Sequence, residues 1–469
     1  MRAVVNLYKR KGIVVLVVAS TSVVMGISLA FQPFLAWFVL AGVLILALLS
    51  TPPYILACLA VLVVVFSRLL VAWDIAPGFI NFFHFPLALV AAFFATLSSR
   101  HKAGYEEKRL ILGILFLGIL TIVSWIINGG EFFRPILTWL LFSEPFLILY
   151  AIVKTTPIGK VRLITRLALG LALVQIPFAF WQAATLGLGD FVQGTLIGQG
   201  AGAHVVGAIA LMAVIALSTN WLFGSRNILQ ALMVLPLFAI PVLSDAKQTI
   251  IAFLPAMAIP LLGSGKFKIR TLFIGAFLAL MLIFAGYLYS PLRMMLNLDL
   301  VLAGLGGKIL SSRIIVKKMT EFMPTFLIGL GPGHSVSRVA LAAQEGYIRS
   351  LPGDWVEISI SPITADILST TSGFYLFASS SVWSGVSSWL GLFGDLGFLG
   401  ILVYLWLLWV VWRGFSHSPY IWAYIGRAVL VMGVILGLVF SWLETPEFTL
   451  PWALFMSVGL VTNAYHSPP

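Results

Sequence analysis

Charge is what this sequence has least of: Asp, Glu, Lys and Arg together make up 9% of its 469 residues, against 61% hydrophobic ones. A chain so composed lacks the polar surface to cover a water-soluble particle of this size, which excludes a soluble globular enzyme. Cysteine is nearly absent. The single Cys58 lies inside an apolar run, so a disulfide framework and a cysteine-rich metal site are both excluded. Acids are scarcer than bases, 16 against 28, which leaves a net charge of +12. A nucleic-acid surface needs its cations in a soluble patch, and these are arranged otherwise.

Long apolar runs fill the chain instead. A helix that crosses the hydrocarbon core takes about 20 such residues. Fourteen runs qualify, at approximately 13–31, 33–50, 53–72, 79–97, 109–128, 135–153, 162–187, 203–224, 228–243, 248–263, 271–290, 386–413, 419–441 and 450–464. Those at 228–243 and 248–263 are short enough to be broken or re-entrant, so twelve to fourteen spans are expected. The first run follows Lys9, Arg10 and Lys11 without a small-residue cleavage site, and it reads as a retained helix.

With a cytoplasmic N-terminus, the inward-facing connections carry 17 cations against two acids, Glu106 and Glu107, leaving 11 cations and 14 acids for the rest of the chain. The positive-inside rule therefore puts both termini in the cytoplasm. The expected fold is an all-α polytopic transmembrane bundle. Helices 1 to 11 occupy residues 1–290, one large extracytoplasmic loop fills 291–385, and helices 12 to 14 occupy 386–469. Loops that long are uncommon without a function. Ser311 to Phe322 and Val339 to Tyr347 have the pattern of amphipathic helices, while Gly353 to Ser381 shows no strong period. The loop reads as a partly helical cap over the outer mouth, where function concentrates.

Cations on the outer side run against the topological bias, so each needs its own reason. Lys247 stands at the junction of the two short spans. Arg313 and Lys317, four apart, share one face of a helix expected to begin near Ser311 or Ser312, and such an N-terminus with a nearby Arg suits a phosphate. The alternative is a solvated face on which Glu321 pairs Lys317. Beyond Pro324, the turn Gly329-Leu-Gly-Pro-Gly-His334 can deliver His334 and Arg338 to a defined place, although it lacks the Lys-Ser or Lys-Thr of a phosphate loop. Inside the spans lie Glu144, His84, Asp395 and Arg427. Asp395 and Arg427 are expected to pair near mid-membrane, and His84, with no ligand-type neighbour at metal spacing, to be a satisfied core histidine.

Two blocks of sequence resemble the superfamily of O-antigen polymerases and O-antigen ligases. One runs from Leu310-Ser-Ser-Arg313 to Pro324-Thr-Phe-Leu-Ile-Gly329-Leu-Gly-Pro-Gly333-His334. The other is Ser387-Ser-Trp-Leu-Gly-Leu-Phe-Gly-Asp395-Leu-Gly397-Phe-Leu-Gly400. Weaker matches are Leu243-Ser-Asp-Ala-Lys247, where the family often has Ser-Arg, and Gly194 to Gly198 with His204. Val386 and Ser387 stand where the ligases commonly carry a His-Asn pair, which favours a polymerase.

The resemblance implies an inverting, metal-independent glycosyltransferase without a cofactor, acting at the periplasmic face of the bacterial inner membrane on a glycan carried by undecaprenyl pyrophosphate. Other polysaccharide assembly and export proteins are the partners such an enzyme implies, and nucleic acid is not one. On this reading Arg313 and Lys247 bind pyrophosphate with Lys317 and Arg338 in support; His334, Glu357 and Asp354 are candidate bases; and Trp355 is a stacking surface for sugar. A ligase, or a glycolipid transporter built around Glu144, Asp395 and Arg427, are the competing expectations.

Overall fold

The computed structural model describes residues 50–98, 105–198, 202–224, 227–262, 298–345, 359–378 and 385–461. The expected spans at 13–31, 33–50 and 271–290, and the candidate residues Asp354, Trp355 and Glu357, lie outside the described residues, apart from Ser50 at the edge of the second span.

Among the described residues there are sixteen α-helices and no strand. The first nine are α1 (Pro53–Ala72), α2 (His84–Leu97), α3 (Tyr105–Asn128), α4 (Phe133–Thr155), α5 (Val161–Leu173), α6 (Gln175–Thr185), α7 (Gly202–Phe223), α8 (Ile228–Leu243) and α9 (Lys247–Leu262). The large loop contributes α10 (Leu298–Glu321), α11 (Met323–Ile328), α12 (Arg338–Glu345) and α13 (Pro362–Ala378). The chain then returns through α14 (Ser388–Gly414), α15 (Tyr420–Val439) and α16 (Pro446–Val461). Eight helical segments are long and apolar enough to cross a membrane, α5 and α6 together forming one of them. The protein is an all-α polytopic membrane helix bundle, and eleven of the fourteen expected spans coincide with observed helices.

Local chemistry sets many of the helix ends. Proline at the first turn opens α1, α11 and α16, where its missing N–H costs no bond. The Asn227 side chain accepts from the Leu229 amide at 3.0 Å to start α8, and Ser387 does the same for Leu390 at 3.2 Å to start α14. Burial then sorts centre from rim. In α4, 78% of the spanning window is buried, and in α7 83%, whereas α3 has 33%. Leu112, Leu115, Phe116, Ile119, Ile122, Val123 and Ile126 of α3 are exposed and form a helical stripe of apolar side chains suited to lipid.

The connections gather at two opposite ends. At one, Arg109 and Arg413 lie over the Trp409 ring at 5.6 and 5.1 Å, and Lys154 donates to Thr96 and Tyr150. At the other, the loop helices pack onto the bundle: Lys308 of α10 donates to the carbonyls of Val386 and Val439, each at 2.8 Å, so its amino group sits at the C-terminus of α15.

Three expectations are corrected here. The helix expected to begin at Ser311 is already helical at Leu298, so Ser311 and Ser312 are mid-helix, and Ser312 bonds back to the Ile309 carbonyl. The segment read as aperiodic contains α13. Asp395 and Arg427 do not pair. Each lies seven residues from the start of its own helix, at opposite ends of the bundle, and about 10 Å of depth from each end leaves them apart across a 30 Å core. Arg427 instead donates to Ser416 at 3.0 Å and lies over Trp412 at 5.0 Å.

Candidate functional site

The two blocks singled out in the sequence interlock at the end of the bundle opposite Arg413. Gly329, Gly331 and Gly333 all have positive φ, at 86°, 110° and 69°, so the chain turns tightly after α11. Within α14, Gly397 has φ 67° and breaks the helix. The break releases backbone carbonyls that other elements use. The Gly394 carbonyl accepts from the Leu330 amide at 2.7 Å, and that of Asp395 accepts from Ser124 Oγ at 3.0 Å. The backbones approach so closely that a Cβ on Gly329 would overlap the Asp395 carbonyl, and one on Gly397 would overlap that of Leu327.

Asp395 holds this turn. Its buried carboxylate accepts from the Gly333 amide at 2.7 Å, the Ser335 amide at 3.0 Å and the Ser335 hydroxyl at 2.6 Å. Asn128 at the end of α3 donates to the Gly329 carbonyl at 3.1 Å. Ser361 and Thr364, at the start of α13, donate to the carbonyls of His334 and Ser335 at 3.0 and 2.7 Å. Elements from three other parts of the chain thus fix one short turn, as a preorganised site requires.

His334 projects from it, half-buried. Its Nδ1 lies 3.1 Å from the Leu330 carbonyl, and because a carbonyl oxygen only accepts, Nδ1 carries the proton and Nε2 the lone pair. Burial pushes the imidazole below its ordinary range, and the Arg134 guanidinium pushes the same way; Asp395, the Leu330 carbonyl and Glu131 oppose them. The ring is therefore neutral at neutral pH, with a free basic nitrogen.

The structure places the other candidates as follows. Arg338 is drawn inward: its amide donates to Glu444 at 2.6 Å, and its guanidinium reaches Thr445 at 3.4 Å. Burial pushes the Glu444 carboxyl well above the usual range, against the pull of Arg338. Arg313 and Lys317 are exposed on α10 with no partner among the described residues, while Glu321 takes Lys318 at 3.2 Å rather than Lys317. Lys247 pairs with Asp245 at 2.6 Å, in a separate group that includes His204, whose Nε2 is 3.8 Å from Asp190. Asp245 adopts φ 52°, a strained conformation for a residue with a side chain. The fold brings His334 and Asp395 together and leaves Lys247 in a different cluster. His84 is satisfied as expected, with Nδ1 2.6 Å from Glu144 in the core.

Sequence reasoning missed Glu131 and Arg134, between α3 and the start of α4, and the part-buried pair of Arg68 with Glu447 at 3.0 Å. In the topology expected from the sequence, Arg68 and Arg134 fall at the outer ends of their spans, so the rule that outer cations need a reason applies to them equally. No group of three or more metal-ligating side chains occurs among the described residues. No family model matches the chain, and no curated protein sequence matches it.

Proposed function

We propose that this protein is an inverting glycosyltransferase of the bacterial inner membrane that polymerises oligosaccharide units carried on undecaprenyl pyrophosphate, with its site at the periplasmic face. The observation that carries the reading is the interlock of the Gly329–His334 turn with the Gly394–Gly400 bend, the two blocks that resemble O-antigen polymerases and ligases. In this reaction an acceptor hydroxyl attacks the anomeric carbon, the bond to pyrophosphate breaks, and the hydroxyl proton must leave. His334 Nε2, neutral and unprotonated, is the base this reading assigns. The developing negative charge on the pyrophosphate needs cations that are not already spent. Arg313 and Lys317 meet that condition among the described residues. Arg338 is turned to Thr445 and Glu444, so the reading reassigns it to holding the loop, and it gives Lys247 a lesser part because Asp245 already takes its charge.

The test is product analysis in proteoliposomes supplied with an undecaprenyl-pyrophosphate oligosaccharide. The expected result is a ladder of lengthened glycans still on the lipid carrier. Transfer to lipid A core without lengthening would identify a ligase, and movement of an unchanged glycolipid across the bilayer would identify a transporter.

A further inference from the structure

Beside His334 lies a pair of charged residues that neither sequence block contains. Arg134 is a fully buried arginine, 1% exposed, at the first turn of α4. Its guanidinium spends every face on fixed partners: Nε donates to the Glu131 carboxylate, Nη1 to the Gly333 carbonyl and Nη2 to the Ser359 carbonyl. Glu131 in turn accepts from the Ser359 amide at 3.1 Å and its hydroxyl at 2.6 Å. The same turn supplies Gly130, with φ 107°, whose missing side chain leaves room for the ring: a Cβ there would lie 2.8 Å from His334 Nε2. A Cβ on Gly331 would likewise lie 2.9 Å from Nδ1.

We propose that Glu131 and Arg134 are positioning residues for His334: Arg134 fastens the carbonyl immediately before it, Glu131 fixes Arg134, and Gly130 leaves the imidazole space that a side chain would occupy. The proposal rests on the reading of His334 as the base, and it adds two residues that set how that base is held and charged. Burying an arginine is costly unless its donors are met, and here they are met by Glu131, by the one turn that carries His334 and by the segment entering α13. The charge matters as well as the grip. The ionisable groups facing the ring are Arg134 from α4, Glu131 from the preceding turn and Asp395 from α14. Arg134 disfavours protonation of the imidazole and the two carboxylates favour it, so substitutions at 134 and 131 act on it in opposite directions.

The test uses the full-length protein in detergent. The rate at which diethyl pyrocarbonate modifies each histidine, resolved by mass spectrometry across pH, reads His334 directly, and the core His84 serves as internal control. Arg134→Gln is expected to raise the midpoint for His334 and Glu131→Gln to lower it, with Arg134→Lys close to wild type in midpoint. A structural role alone predicts no such opposition of sign. Unchanged midpoints in both glutamine variants would overturn the proposal, as would shifts of the same sign. If Arg134→Gln does not fold, Glu131→Gln and Arg134→Lys decide: a lowered midpoint in the first with a near-normal one in the second supports the proposal, and any other pairing overturns it. The readout needs no glycan. Shifted midpoints without polymer formation would defeat the glycosyltransferase reading alone, and polymer formation with unmoved midpoints would defeat this inference alone.

Discussion

The carboxylate of Asp395 sits 2.7 Å from the backbone amide of Gly333, joining the bend in one membrane helix to the turn that carries His334. Two residues 62 apart in sequence thus make the same corner of the site. An acid deep in an apolar helix is explained by that bond and by two more from Ser335, without any cation.

Truncating this acceptor should be costly. Asp395→Ala leaves the Gly333 and Ser335 amides buried without partners, and a loss on the order of 3 kcal/mol in stability is expected. Asp395→Asn keeps one carbonyl oxygen and should lose less. Thermal unfolding of the purified variants followed by tryptophan fluorescence checks the order.

Because Arg427 is engaged with Ser416 and Trp412, its removal should not couple to Asp395. In a double-mutant cycle, Asp395→Asn and Arg427→Met should add to within about 0.5 kcal/mol. A coupling of several times that size would restore the pairing first expected from the sequence.

Much of the fold was legible because hydrophobicity and length are direct signals: the run at 228–243 matches α8 to the residue. What failed was depth and register. Counting along ideal helices from the expected span limits puts Asp395 and Arg427 near mid-membrane, but each lies only seven residues into its own helix from opposite ends, and the Asp395 carboxylate is taken up by Gly333 and Ser335. The segment around α13 looked aperiodic, yet Ser361-Pro362 is a start signal: the Ser361 hydroxyl accepts from the Thr364 amide at 3.0 Å. The glycine-rich turn and the acid of the second block are both visible in the sequence, but their contact is not. Arg134 escaped because a cation three residues beyond Glu131 at the end of a span reads as an exposed helix pair, and only the tertiary structure shows it buried.

The interlock of the glycines gives a second set of expectations. Gly329→Ala and Gly397→Ala each force a methyl group into a backbone carbonyl at positive φ, and both should abolish accumulation of folded protein. Gly159→Ala, with nothing within 4 Å of the added carbon, should behave as wild type. Fluorescence-detected size-exclusion chromatography of tagged variants distinguishes them.

Glu131 predicts a pH dependence. Its carboxyl is partly buried, which by itself raises the pKa, but the bonds from Arg134 and Ser359 outweigh this and lower it from 4.5 to about 2. A depressed carboxyl pKa contributes stability that is complete above 4.5 and is lost as pH falls towards 2. Melting temperatures recorded between pH 5 and pH 2 should fall less steeply in Glu131→Gln than in the wild type.

The proposed anion site makes Arg313 and Lys247 unequal. Arg313→Ala should lower polymer formation by about a hundredfold, corresponding to roughly 3 kcal/mol of lost transition-state stabilisation. Lys247→Ala should cost less, since Asp245 already shares its charge. Chain-length profiles from membranes with matched protein levels test the ranking.

The most direct measurement compares wild type with His334→Ala in proteoliposomes charged with an undecaprenyl-pyrophosphate oligosaccharide. The account predicts lengthened, still lipid-linked glycan from the wild type and a rate lower by about two decades or more in the variant, the range expected for loss of a general base. Equal rates of lengthening in the two proteins would contradict it.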